Sequence, residues 1–254
     1  MGLFGYFNMI LGGISFADKN NFIPVIDMKN YKSPYISDDE LGRVNAWEYY
    51  FEQPGNISLE DVYSSQKYMV GINSLWHDWP NYLGPQNWIR ADFYYNRGGA
   101  LSGGKLDYWR KLCKKYIRFK PAVLERLGAL QEKTKGKKIL GVSIRGTDFV
   151  ARKPSSHPIQ PTSEQVIEKA REVLREKNFD AVYLATEDKN IVAKFQAAFG
   201  EKLITLEQDY LDYDSNKWVT AQFTDRKNDR YLRGRDYLVS KLMLTKCQGL
   251  ITDR

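Results

Sequence analysis

Five residues in the middle of the chain, Ile144-Arg145-Gly146-Thr147-Asp148, have the types and spacing to hold an anion. A guanidinium can grip a phosphate through two parallel hydrogen bonds. A neighbouring glycine lets a ligand approach the backbone, and a threonine hydroxyl adds a further donor. Asp148 suits orienting Arg145 or capping the turn, and the same residues also suit a purely structural Arg–Asp pair. Two further polar clusters, Thr186-Glu187-Asp188 and Thr252-Asp253-Arg254, each follow an apolar run. Other chemistries lack their residues. The phosphate loop G-x-x-x-x-G-K-[ST], the dinucleotide fingerprint G-x-G-x-x-G and the hydrolase elbow G-x-S-x-G do not occur. His77 and His157 are the only histidines, and Cys113 and Cys247 the only cysteines, so no metal site is expected.

The elements that must position these clusters are clearest in the second half. KKILGVSI (137–144), FDAVYLA (179–185), KLITLE (202–207) and GLIT (249–252) are short, β-branched-rich apolar runs, the pattern of buried strands. Between them lie helical patterns. One starts after Thr162, with Gln165 in capping-box position; others cover 189–199 and 231–247, with a polar, aromatic excursion over 208–230. Strand–helix alternation predicts a parallel sheet, whose ligands bind outside the carboxyl ends of the strands. The three polar clusters all fall there. In the first half, 3–19 reads as a helix, FIPVIDM (22–28) as a strand, 67–72 as a candidate strand, 76–88 as an aromatic loop and 105–134 as helical. The boundary is expected in the connector Thr134–Lys138, giving domains 1–135 and 136–254. The first helix has no strand before it and the last strand no helix after it, so both domains are expected to be incomplete at an edge.

The 254 residues are ample for a buried core. With 43% hydrophobic and 27% charged residues the composition is that of a globular chain, not a disordered one. No run approaches the roughly 18–20 apolar residues of a membrane span, and the apolar start has neither the leading basic residues nor the cleavage pattern of a secretory leader. Two cysteines read as reduced thiols of a cytoplasmic protein. The net charge of +7 is concentrated. Residues 105–138 hold twelve lysines and arginines against three acids. That segment reads as the solvated faces of two helices joined at Pro121, as a surface for anionic lipid headgroups, or as a nucleic-acid patch. No helix-turn-helix, zinc or RNP motif accompanies it, so no nucleic-acid partner is expected.

LGVSIRGTDFVARKPSSHPIQP (140–161) resembles the first motif of the fucosyltransferase superfamily, which includes the α-1,6-fucosyltransferases, the Nod-factor fucosyltransferases and the protein O-fucosyltransferases. VYLATEDKNIVAKFQAAFG (182–200) is similar to that family's strand ending in Ala-Thr-Asp/Glu-Asp, and YLVSKLMLTKCQGLIT (237–252) to the helix and strand before its last donor loop. Residues 2–28 resemble the opening of its N-terminal domain. Bacterial surface- or capsular-polysaccharide members are the nearest in pattern. The resemblance implies an α/β, GT-B-like fold of two Rossmann-like domains, with a parallel sheet in the C-terminal domain. It implies a metal-independent, inverting transfer of fucose from GDP-fucose, or of another GDP-sugar, to a glycan acceptor, with no cofactor.

Carried over residue by residue, Arg145 would bind the donor β-phosphate and Asp148 would hold the arginine loop. Gly146, Thr147, Thr186, Glu187 and Asp188 would line the donor cleft. Ser240 stands where α-1,6 enzymes place an aspartate for the guanine. Ser143 replaces a frequent histidine, Gly146 a second arginine and Lys153 an acid proposed as base, so the resemblance assigns neither the base nor guanine specificity. The family's serine-rich donor loop would lie beyond Arg254.

Among the remaining candidates, His157 suits a base, an acceptor contact or a turn before Pro158. Asp27 suits a base or a loop cap. Trp76 and Trp79, with Tyr82 and Trp88, suit sugar faces or loop packing. The reading is a glycosyltransferase on the cytoplasmic side, peripheral to an anionic inner membrane through its basic segment. The rivals are a non-catalytic nucleotide- or glycan-binding module and, less favoured, a nucleic-acid binder using 105–138.

Overall fold

The computed structural model describes residues 2–73, 88–91, 104–145, 159–212 and 222–252, with 72–73, 88–91 and 104–105 as main chain only. Two compact units divide at Lys120–Pro121.

In the first unit, helix α1 (Leu3–Lys19) buries Leu3, Tyr6, Leu11, Ile14 and Ala17. This stripe recurs at helical spacing. A six-residue helix, α2 (Leu59–Ser64), starts in a capping box between Ser58 and Asp61. Strands β1 (Val70–Asn73) and β2 (Trp88–Ala91) pair in parallel. Helix α3 (Gly104–Tyr116) meets α1 through Leu112 against Leu11 and Ile14. Ser15 and Tyr108 share a hydrogen bond of 2.7 Å between these helices. Segment 22–28 departs from the expected strand. It forms no regular strand and pairs with none among the described residues. Side-chain amides take the partner's place. Gln53 Oε1 accepts from Ile26 N at 2.8 Å, Gln53 Nε2 donates to Ile26 O at 2.9 Å, and Asn45 Oδ1 accepts from Met28 N at 3.0 Å.

The second unit opens with α4 (Pro121–Glu132), where proline at the first helical position costs no hydrogen bond. Four strands follow: β3 (Ile139–Ser143), β4 (Ala181–Ala185), β5 (Leu203–Thr205) and β6 (Gly249–Thr252). They form one parallel sheet in the order β5-β4-β3-β6. Parallel pairs need crossovers, supplied by α5 (Ser163–Glu176), α6 (Lys189–Phe199) and α7 (Asp229–Leu244). The expected capping box of Thr162 and Gln165 opens α5. Leu140, Val142, Val182 and Leu184 pack against Val166, Ala170 and Phe195 of α5 and α6. The opposite face meets α7. There Gly141 lets the end of the helix approach so closely that an added Cβ would lie 3.0 Å from Leu244 Cδ2 and 3.1 Å from Cys247 Sγ.

Candidate functional site

The carboxyl ends of β3 and β4 lie side by side, with Ser143 opposite Ala185. The ladder extends one step further, Ile144 N donating to Ala185 O at 3.2 Å. Ile144 is buried among the residues that α5 and α6 cover. Side chains of a strand alternate between faces, so Ser143 lies on the face toward α7, opposite Val142. The contact of Ser143 agrees, since its Oγ accepts from Lys241 Nζ of α7 at 2.8 Å. Arg145 is half-buried.

At the end of β4, Thr186 is buried in the turn. Its Oγ1 accepts from Asp188 N at 3.3 Å, and its carbonyl accepts from Gln208 Nε2 at 3.0 Å. Glu187 is half-buried and meets Arg233 Nε of α7 at 3.2 Å. Asp188 is 1% exposed and caps α6, its Oδ1 accepting from Asn190 N at 2.7 Å and Ile191 N at 3.2 Å. Burial pushes its carboxyl above the usual range, with the two N–H groups opposing the shift. Ser240 is buried inside α7, where Tyr183 OH donates to its Oγ at 3.2 Å.

The structure thus brings Arg145, Thr186, Glu187 and Asp188 to adjacent strand ends. Asp188 turns into a helix N-terminus, and Ser240 binds the sheet. Asp27 lies in the first unit, where Oδ1 accepts from Lys29 N at 2.9 Å and Oδ2 from Tyr63 OH at 2.7 Å. Gly146, Thr147, Asp148, His157, Trp76 and Trp79 lie outside the described residues. Among the described residues no group of three or more His, Cys, Asp or Glu could hold a metal ion, and no helix is long and apolar enough to cross a membrane.

Sequence reasoning missed a shallow, solvent-open depression beside these strand ends, lined by Glu187, Gln208, Asp209, Leu211, Thr224, Arg226, Asp229 and Arg233. Arg226 links Asp229 at 2.6 Å to Asp209 at 3.0 Å. The i, i+3 spacing of Arg226 and Asp229 at a helix start was the available signal. Lys241 was missed as well, hidden among the apolar positions of α7.

Parallel strands, helices on both faces and polar groups at the carboxyl ends place the second unit among α/β folds that bind ligands outside those ends. The chain as a whole has a fucosyltransferase-like fold. It superposes on NodZ alpha-1,6-fucosyltransferase soaked with GDP-fucose with a TM-score of 0.59 and 16% identity, covering 96% of this chain and 82% of that one. The same enzyme co-crystallized with GDP gives 0.58 and 16%, covering 96% and 81%. Fucosyltransferase NodZ from Bradyrhizobium gives 0.58 and 15%, covering 95% and 81%. No family model and no curated protein matches the sequence.

Proposed function

We propose that this chain is a glycosyltransferase that moves fucose, or a closely related sugar, from a GDP-linked donor to a bacterial surface or capsular glycan. The observation that carries the reading is the likeness of 96% of the chain to a fucosyltransferase soaked with GDP-fucose, with Arg145 at the carboxyl end of β3. In this reading the chain is of the GT-B kind, with two Rossmann-like domains. The second unit binds the donor and the first presents the acceptor.

The acceptor hydroxyl attacks the anomeric carbon from the face opposite the diphosphate and gives its proton to a base on the acceptor side, for which Asp27 and His157 are the candidates, while the bond to the β-phosphate oxygen breaks and GDP leaves. Negative charge grows on the diphosphate as that bond stretches. A fixed guanidinium there favours the transition state, as a metal ion does in other enzymes. Arg145 takes that role, with Gly146, Thr147 and Asp148 shaping its loop. Thr186 and Glu187 border the donor, while Asp188 supports the turn as a cap. Asp27, His157, Trp76 and Trp79 are the candidates on the acceptor side.

Peripheral attachment to anionic membrane through 105–138 would have to compete with ion pairs inside the protein. Arg110, Lys115, Arg118, Arg126, Lys133 and Lys135 each have a carboxylate partner.

The test is transfer from radiolabelled GDP-fucose to a bacterial glycan panel, with calorimetric titration of GDP. Arg145→Ala is expected to lower transfer by at least about a hundredfold with an unchanged unfolding midpoint. Undiminished turnover by that variant would sink the assignment.

A further inference from the structure

We propose that Lys241 is a second phosphate-binding cation of this site, acting beside Arg145 on the donor diphosphate; the inference rests on the glycosyltransferase reading above. Three observations converge on it. Lys241 Nζ donates to Ser143 Oγ at 2.8 Å, so the ammonium sits at the last residue of β3. Arg145 stands two residues beyond Ser143, past the end of β3. Lys241 is half-buried on α7, with its ammonium 5.4 Å from the centre of the Tyr237 ring.

The surroundings of Lys241 on α7 are apolar. Leu238, Val239 and Met243 around it on α7 are buried apolar residues, and a half-buried ammonium carries a desolvation cost that an apolar side chain there would not. The Ser143 hydroxyl and the Tyr237 ring fix its direction. The acid that follows β4 on this face, Glu187, is held by Arg233 at 3.2 Å. A diphosphate spreads its charge over several oxygens, and a flexible-stemmed point charge complements the planar fork of an arginine. Ser143 becomes a positioning residue that holds the ammonium.

The experiment titrates GDP, GMP and guanosine into the full chain by calorimetry, for wild type, Lys241→Met, Lys241→Arg and Arg145→Ala. Methionine keeps the apolar stem, and urea unfolding confirms that each variant folds. Lys241→Met is expected to weaken GDP about tenfold or more, to change guanosine less than about twofold, and to be partly restored by Lys241→Arg. An equal loss for GDP and guanosine, or no loss at all, overturns the inference. If wild type binds GDP and Arg145→Ala abolishes binding while Lys241→Met does not, only the role of Lys241 falls. If wild type binds none of the three, the glycosyltransferase reading falls with it.

Discussion

The Arg126 guanidinium donates to Asp236 Oδ1 at 2.8 Å, tying α4 to α7 through a carboxylate that is only 2% exposed. Arg235 meets the same oxygen at 2.9 Å. Arg126 also donates to the carbonyl of Glu207, whose carboxylate holds Lys133. Part of the basic segment is therefore internal scaffolding of the second unit. A buried carboxylate is stable only when its charge is answered. Asp236→Asn removes the charge and leaves two guanidiniums facing each other. It is expected to cost about 3 kcal/mol. Arg126→Met should cost less, about 1 kcal/mol, because Arg235 remains and the Arg126 side chain is 28% exposed. Urea unfolding of both variants checks the order.

Tyr183 is fully buried on β4, and its only described hydroxyl partners are on Ser240. Tyr183→Phe is expected to lose about 1 kcal/mol. Ser240→Ala should lose a similar amount, and the double variant little more than either alone, since one interaction is shared. GDP titration adds a second readout. If Ser240 also touches the guanine, Ser240→Ala weakens GDP while Tyr183→Phe does not. Equal GDP affinity in both variants confines Ser240 to packing.

The elements that position the site were legible where local chemistry and burial agree. Helix 189–199 has both ends marked, Asp188 as cap and Gly200 at φ 53° just past the end. The two central strands, β3 and β4, are short apolar runs bounded by polar turns, because a parallel sheet covered on both faces leaves no polar side, whereas β6 at the edge leaves Leu250 55% exposed. The expected strand at 22–28 misled for a physical reason. An apolar run does not name its hydrogen-bond partner; here the partners are Asn45 and Gln53, and Phe22 and Ile23 stay exposed. Lys241 and Asp236 were illegible for the same cause. Their meaning depends on Ser143 and Arg126, each roughly a hundred residues away, and no local pattern carries that distance.

Asp188 joins a cap to a buried charge, and pH separates the two. Burial raises its carboxyl pKa in the folded protein. A raised acid pKa means that the folded state holds the proton more tightly than the unfolded chain does. The ionised form is therefore disfavoured by folding, and stability from this group falls as pH rises through its folded pKa. Asp188→Asn keeps a good cap without the charge. It is expected to match wild type in acid, where the carboxyl is protonated, and to exceed it at neutral pH. Asp188→Ala loses the cap as well as the charge and should lie about 1 kcal/mol below Asp188→Asn at either pH. Thermal melts of the three proteins across acidic and neutral buffers measure this; an asparagine variant weaker than wild type at neutral pH would contradict the sign.

Asn45 carries the last prediction. Its Oδ1 accepts from Met28 N at 3.0 Å and Trp47 N at 3.3 Å, and its Nδ2 donates to Ile26 O at 2.8 Å. One side chain thus ties down the 22–28 segment and caps the turn at 46–49. Asn45→Ala leaves the buried Met28 N–H without this acceptor, at a cost of about 2 kcal/mol. Asn45→Asp preserves both acceptor bonds. It loses the donor to Ile26 O and sets a second carboxylate against Glu48, which lies 3.2 Å from Asn45 Nδ2. Hydrogen exchange separates these effects. Peptides spanning 22–30 should exchange at least about tenfold faster in Asn45→Ala, while those of β3 and β4 should keep their protection. Faster exchange in both regions would mean that the first unit does not open alone.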